Sequence, residues 1–268
     1  MKNKPLFSFE TAALTDTGRV RNNNEDCVFT IDRREPNVFK AESFGIYLIA
    51  DGMGGCQAGE MASILASERI SQFILNKLMP GIKAIPPDIL VTQAISNANN
   101  CIFNLSCHRK ELHSMGTTIV LGFRLNNTLF LGHAGDSRAY LIREGKIIQL
   151  TEDHSLMAYL IKRGIITSNE ARTHPDRGKI FRFLGASENI KVDTITLLLH
   201  PGDSLVFCSD GLISCLSDSE ILRCVENHEE VSKKCRNLID LANSRNSEDN
   251  ISSIVVNIMP IEKVKKGC

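Results

Sequence analysis

Short apolar or alternating runs, punctuated by turn residues, fill most of the chain, and two long helical stripes lie between the first group of runs and the second. Residues 8–15 and 27–32 (CVFTID) read as short strands, and 44–50 (FGIYLIA) as a β-branched and aromatic run that delivers Asp51 at its end. Past GMGG, residues 57–79 carry good helix formers, with Ile70, Phe73, Ile74 and Leu78 recurring on one face. The break MPGIKAIPPD separates this helix from a second, whose stripe of Val91, Ala94, Ile95, Ala98, Ile102 and Leu105 ends near 108–113. Four strand-like runs follow at 117–125, 128–135, 137–143 and 146–151, parted by NN, GDS and EG turns. Connections this short predict antiparallel hairpins, not parallel crossovers.

Residues 154–190 break the pattern: helix-like HSLMAYLIKRG gives way to polar ITSNEARTHPDRGK and then FRFLGAS with no clean period. This predicts an irregular excursion from the sheet, a flap facing the substrate. Strands resume at 192–199 and 203–210, a short helix is expected around SDSEILRCVE, and Val231, Cys235, Leu238 and Ala242 mark a last helix before the strand 251–258. The order predicts an α+β fold, two antiparallel sheets packed as a central sandwich with long helices outside, in four layers αββα. No Gly/Ser-rich or Pro-rich linker interrupts it, so residues 1–268 read as a single domain with a 154–190 flap and a basic tail at 260–268.

Composition narrows the partners. Lys+Arg 31 against Asp+Glu 31 leaves a net charge of zero, which lacks the electropositive footprint of a nucleic-acid binder. The N-terminal MKNKPLFSFE is too polar for a signal-peptide core, and no apolar stretch approaches the length of a membrane span, so a cytoplasmic protein without membrane attachment is expected. Nine cysteines, an odd number with no C-x-x-C pair, read as small buried hydrophobes in a reducing compartment rather than a zinc site or disulfide framework. The tail IEKVKKGC ends on cysteine, whereas a prenylation signal needs it four from the end.

Five carboxylates stand at strand ends or turn mouths: Glu25 in RNNNED, Asp51 in LIADGMGG, Asp136 in GHAGDSRAY, Asp210 in FCSDGL and Asp249 in SEDN. Isolated carboxylates of this kind suit a fold that gathers oxygen ligands for hard divalent cations at one sheet edge, the chemistry of phosphate-ester hydrolysis. The glycines of D-G-M-G-G allow a sharp reversal and let a backbone carbonyl face a metal, and no G-x-x-x-x-G-K-[ST] or G-x-G-x-x-G phosphate cradle is present. Arg21, four residues before Glu25, carries a planar fork suited to phosphate. Taken singly, RNNNED is equally a polar turn, GDSR a hairpin turn and SDGL a helix N-cap.

Together and in order they are more specific. TDTGRVRNNNED, YLIADGMGGCQAGEMAS, MGTT, GHAGDSRAYL, LTEDHS, GDSLVFCSDGL and EDNISSIVV span about residues 8–258, and this chain closely resembles the metal-dependent protein phosphatases of type 2C, in their bacterial form. The resemblance implies hydrolysis of phosphoserine and phosphothreonine on proteins by a water bridging two Mg²⁺ or Mn²⁺ ions, without a phosphoenzyme. It implies that Asp51 bridges the ions, that Asp210 and Asp249 complete the first, and that Glu25 and the Gly52 carbonyl face the second. Asp136 with Asp210 would hold a third, weaker ion, and Arg21 would bind phosphate. It further implies a monomer that acts on a phosphoprotein and opposes a serine/threonine kinase. Whether it does so in its own cell or as a secreted effector is open, as are the protein substrate and the choice of metal.

One position departs from the family. Many eukaryotic members read D-G-H-G-G, with the histidine proposed as general acid, and this chain has Met53, whose thioether cannot donate a proton. Water on a metal, another residue, or no specific donor then serves the leaving group. Of His133, His154, His174 and His200, each more readily structural, His154 is the best placed to substitute. Met53 also motivates an alternative, a pseudophosphatase that binds a phosphoprotein without turnover; a partner-switching phosphatase acting on an anti-sigma antagonist is a further one.

Overall fold

The computed structural model describes residues 7–33, 43–54, 57–79 and 85–260. Gly55 and Cys56 after the DGMG turn, residues 80–84 of the MPGIKAIPPD break and residues 261–268 of the basic tail lie outside the described residues. The strands are β1 (Phe7–Asp16), β2 (Asp26–Arg33), β3 (Phe44–Met53), β4 (Gly116–Thr117), β5 (Ile119–Leu125), β6 (Thr128–Ala134), β7 (Arg138–Arg143), β8 (Lys146–Gln149), β9 (Asp193–Leu198), β10 (Ser204–Cys208) and β11 (Ile251–Pro260). The helices are α1 (Gln57–Leu78), α2 (Pro87–His108), α3 (Leu156–Lys162), α4 (Ser168–Thr173), α5 (Asp210–Ile213), α6 (Asp218–Val225) and α7 (Val231–Ser244). One sheet runs β1-β11-β10-β7-β8 and the other β2-β3-β5-β6-β9, with β4 beside β3, and every ladder is antiparallel.

Side-chain alternation sorts each strand into two layers. From β3, Tyr47 and Ile49 enter the seam between the sheets, where they meet Phe207 of β10 and Ile254 and Val256 of β11. Phe44, Ile46, Leu48 and Ala50 point the other way, onto Ala62, Ala66, Ile70 and Ile74 of α1 and Ala94, Ile95, Ala98 and Ile102 of α2. On the far side, Val206, Cys208 and Val255 pack under Ile221 and Val225 of α6 and Leu238, Ile239 and Ala242 of α7. The four-layer αββα arrangement is therefore present, and the alanines on α1 and α2 let the helices approach the sheet closely. Among the described residues no helix is long and apolar enough to cross a membrane. Cys27, Cys101, Cys107, Cys208, Cys215, Cys224 and Cys235 are free thiols.

Three local differences from the sequence pattern have physical causes. The run expected as one strand at 117–125 is split between β4 and β5, because the backbone and hydroxyl of Thr118 are turned toward Asp51. The run at 146–151 stops at Gln149, and the Thr151 hydroxyl instead accepts the Ala139 N–H. The flap is not wholly irregular: it contains α3 and α4, seven and six residues long, too short to establish a readable period. Thr167 and Glu170 form a capping box at the start of α4.

Candidate active site

The cleft is built where β3 leaves one sheet and β10 and β11 leave the other. Asp26, the first residue of β2, stands opposite Asp51 in the β2–β3 register. The Asp51 N–H donates to Thr118 Oγ1 at 3.1 Å, and its carbonyl accepts from Thr118 N at 2.8 Å and Thr117 Oγ1 at 2.9 Å. Thr118 Oγ1 also meets Ser137 Oγ at 2.7 Å, so the MGTT segment ties Asp51 to the turn that carries Asp136. Gly52 is pressed between two backbones: a Cβ there would collide with the carbonyls of Gly59 and Glu25. A Cβ at Gly59, in the first turn of α1, would in turn collide with Glu25 Oε2, so the Glu25 carboxylate rests against a helix N-terminus, where negative charge is favoured.

The opposite wall comes from residues more than two hundred positions away. Asn250 accepts the Glu25 N–H on Oδ1 at 2.8 Å and donates from Nδ2 to the carbonyls of Thr17 and Asn23, both at 2.9 Å. One buried amide thereby fixes the loop bearing Arg21 and Glu25 to the turn bearing Asp249. Arg21 Nη2 lies 2.7 Å from Asp249 Oδ2, and its Nε donates to the Glu248 carbonyl at 3.3 Å. Asp26 joins the sheets: its Oδ2 accepts from Ser209 Oγ at 2.8 Å and Ser252 Oγ at 2.6 Å.

Crowded carboxyls in a dry site resist ionisation. Burial, then the charge of Asp249, pushes Asp210 up to about 6. Burial pushes Asp26 up to about 7 against the pull of its two serine donors. Asp51 is raised well above the carboxylate range by burial and by Asp26 and Asp210, and Asp136 by burial and Asp210. Glu25 is raised by burial, which outweighs the attraction of Arg21, while the Arg21 guanidinium is raised by its hydrogen bond to Asp249.

Arg21, Glu25, Asp51, Gly52, Asp210 and Asp249 all line one cleft of about 970 Å³, together with Met53. Asp136 does not line it and is buried beneath, coupled to the cleft through Asp210. Among the described residues no three acidic, histidine or cysteine side chains form a closed metal cage, and Asp249 is turned onto Arg21. The donors nevertheless fit a hard cation: Oδ1 of Asp26, Asp136 and Asp210 are buried with no hydrogen-bond partner, and the mutual repulsion of these carboxylates is what divalent charge relieves.

Sequence patterns pass over Asp26, Asn250, Ser209, Ser252 and the two threonines as individual residues, although each lies inside a quoted motif. Their only signal is adjacency to a candidate ligand. His154 lies outside the cleft lining: its Nδ1 accepts the Gly135 N–H at 3.0 Å, its Nε2 faces Asp193 Oδ2 at 3.0 Å, and its ring stacks on His133 at 4.8 Å. It is a structural histidine, and among the described residues no histidine lines the cleft.

Comparison with known proteins agrees with the geometry. A family model described as protein phosphatase 2C matches residues 12–157. The chain is 33% identical over 244 residues to the serine/threonine phosphatase stp of Listeria monocytogenes, covering 90% of this chain and 93% of that one. The crystal structure of the Mycobacterium tuberculosis serine/threonine phosphatase PstP superposes with a TM-score of 0.80 at 32% identity, over 93% of this chain and 98% of that one. A structure of the PstP catalytic domain in complex with two manganese ions gives 0.80 at 30% identity, over 94% and 99%.

Proposed function

The chain belongs to the protein phosphatase 2C family, and from that premise we propose a division of labour for its phosphoserine and phosphothreonine hydrolysis in which Glu25, Asp51, Asp136, Asp210, Asp249 and the Gly52 carbonyl are the metal ligands and Arg21 binds phosphate. The observation that carries it is the meeting of Arg21 with Glu25, Asp51, Gly52, Asp210 and Asp249 in one cleft. Mg²⁺ or Mn²⁺, two ions as in the manganese complex of PstP and a third at Asp136 and Asp210, would neutralise phosphate charge and acidify an attacking water.

The chain's own residues supply position and charge. Thr117 and Thr118 hold the Asp51 backbone still, so its carboxylate is presented without a reorganisation cost. Arg21 uses Nη2 and Nε on Asp249 and Glu248, and its remaining donors are available to phosphate oxygens. Met53 lines the cleft and has no proton to give, so protonation of the departing serine or threonine oxygen falls to solvent. We place the enzyme as a cytoplasmic monomer in bacterial signalling, opposing a serine/threonine kinase, with residues 1–268 as one catalytic domain, 154–190 as its flap and 260–268 as a basic tail.

Hydrolysis of p-nitrophenyl phosphate and of a phosphothreonine peptide, each with Mn²⁺ and with EDTA, tests this. Activity should require the metal. Equal rates in EDTA, or calorimetric binding of the phosphopeptide with no phosphate release in Mn²⁺, would sink it.

A further inference from the structure

Two large apolar side chains stand open at the mouth of a charged cleft. Val20 is 60% exposed and Phe181 58% exposed, and both line the cavity that holds the carboxylates. They come from two separate segments of the chain. Val20 precedes Arg21 on the loop stapled by Asn250, whereas Phe181 projects from the flap, where backbone bonds from Leu156 N to the Lys179 carbonyl at 2.8 Å and from Phe181 N to the His154 carbonyl at 2.9 Å fix its strand. Ile180 and Leu156 extend the apolar surface inward along the flap wall.

On the flap, Lys179, which lines the cleft, and its neighbours Arg177 and Arg182 are already matched. Arg177 pairs with Glu248 at 2.6 Å, Lys179 with Asp176 at 2.8 Å and Arg182 with Asp193 at 2.7 Å. An acidic residue contacting the flap would have to displace a carboxylate of the chain to gain a partner there. A large apolar residue would displace only water, and exposed apolar surface beside a polar site marks a place where a ligand is gripped.

We propose that Val20 and Phe181 are the two lips of a subsite for a large apolar residue adjacent to the phosphorylated serine or threonine, and that this enzyme prefers apolar-flanked over acid-flanked phosphosites. Val20 adjoins Arg21 in the chain and successive Cα atoms of a peptide are about 3.8 Å apart, so a residue next to a phosphate at Arg21 lies beside Val20 in the cleft that Phe181 also lines. The inference rests on the phosphatase function of the same cleft.

The test compares three phosphothreonine peptides, flanked by leucine, by alanine and by glutamate, assayed with Mn²⁺ on the wild-type enzyme and on V20A, F181A and F181L. The wild type should favour the leucine-flanked over the alanine-flanked peptide by about tenfold in kcat/KM, mainly through KM, as expected for burying one aliphatic side chain. That ratio should shrink to about twofold in F181A, shrink less in V20A, and return in F181L, which separates lost contact from lost fold. Equal kcat/KM for leucine and alanine flanks, a glutamate preference, or a leucine preference that survives F181A and V20A together overturns the proposal. No turnover of any peptide or of p-nitrophenyl phosphate overturns the phosphatase function beneath it, and the subsite with it.

Discussion

On the floor of the cleft, Asp51 lies near the end of β3, a strand placed between β2 and β5, and Asp210 and Asp249 adjoin β10 and β11, which are likewise interior to their sheet. The flap is anchored at its return, where Leu184 enters the core and buried Asn99 bonds the backbone of Gly185, Ser187 and Glu188, but its outer stretch reaches the rest of the molecule through a few backbone bonds, two short helices and exposed ion pairs such as Arg177–Glu248. The floor is over-determined: the candidate ligands are set by the two sheets and by buried hydroxyls and amides. The outer stretch of the flap, with its exposed ion pairs, is held by contacts that water can replace. Under the proposed function, chemistry that tolerates little displacement would sit on the first, and recognition, which can change without loss of the fold, on the second.

The contrast breaks most sharply at the floor. Asp51→Asn and Asp210→Asn remove charge at the point where carboxylates are most crowded, and each should lower Mn²⁺-dependent phosphopeptide turnover by about a thousandfold or more, with weaker Mn²⁺ binding by calorimetry. Retained turnover would show that the cleft carboxylates are not the ligands.

Asn250→Ala strips three hydrogen bonds from a buried position and leaves the Glu25 N–H and two carbonyls without it. A loss of roughly 3 kcal/mol in chemical denaturation is expected, with activity falling alongside because Arg21 and Glu25 are released together. A variant of unchanged stability would mean that the loop is held by something else.

The root of the flap should respond to acid. Burial, then the neighbouring His154, pushes the His133 imidazole down from 6.5 to about 3. The folded state therefore keeps His133 neutral while the unfolded chain takes up the proton first, so its contribution is complete above about pH 6.5 and is lost as pH falls toward about 3. Denaturation curves should show about 3 kcal/mol lost by about pH 4 from this group, and His133→Asn should flatten that part of the profile.

The smallest effect belongs to the flap surface. Arg177→Gln or Glu248→Gln breaks an exposed pair, and the change in stability should stay below about 1 kcal/mol and vanish in high salt. A large stability loss would move the flap into the same class as the floor.

Much of the floor was legible in the chain order because its logic is local. An apolar run that must pack on both faces reads as an interior strand, and a carboxylate at its end is delivered to the sheet edge, as at Asp51. The motif resemblance named Arg21 and the five carboxylates, and six of the seven residues assigned to the site, Gly52 included, share the cleft. Asp136, placed beneath it, shows the limit: a motif does not report depth. His154 shows another, since proximity to a motif said nothing of the Gly135 N–H and Asp193 carboxylate that occupy its ring.

The sequence by itself determined the strand and helix periods, the antiparallel order imposed by short turns, and the set of oxygen donors, since each of these depends on residues within a few positions of one another. Only the tertiary structure decided that Asp26 would bridge Ser209 and Ser252, that Asn250 would staple Arg21 and Glu25 in place, and that Val20 and Phe181 would line one cleft. Those pairings join residues more than a hundred positions apart, and what selects them is the closure of two sheets over a common apolar seam, a property of the packed whole that no local pattern encodes.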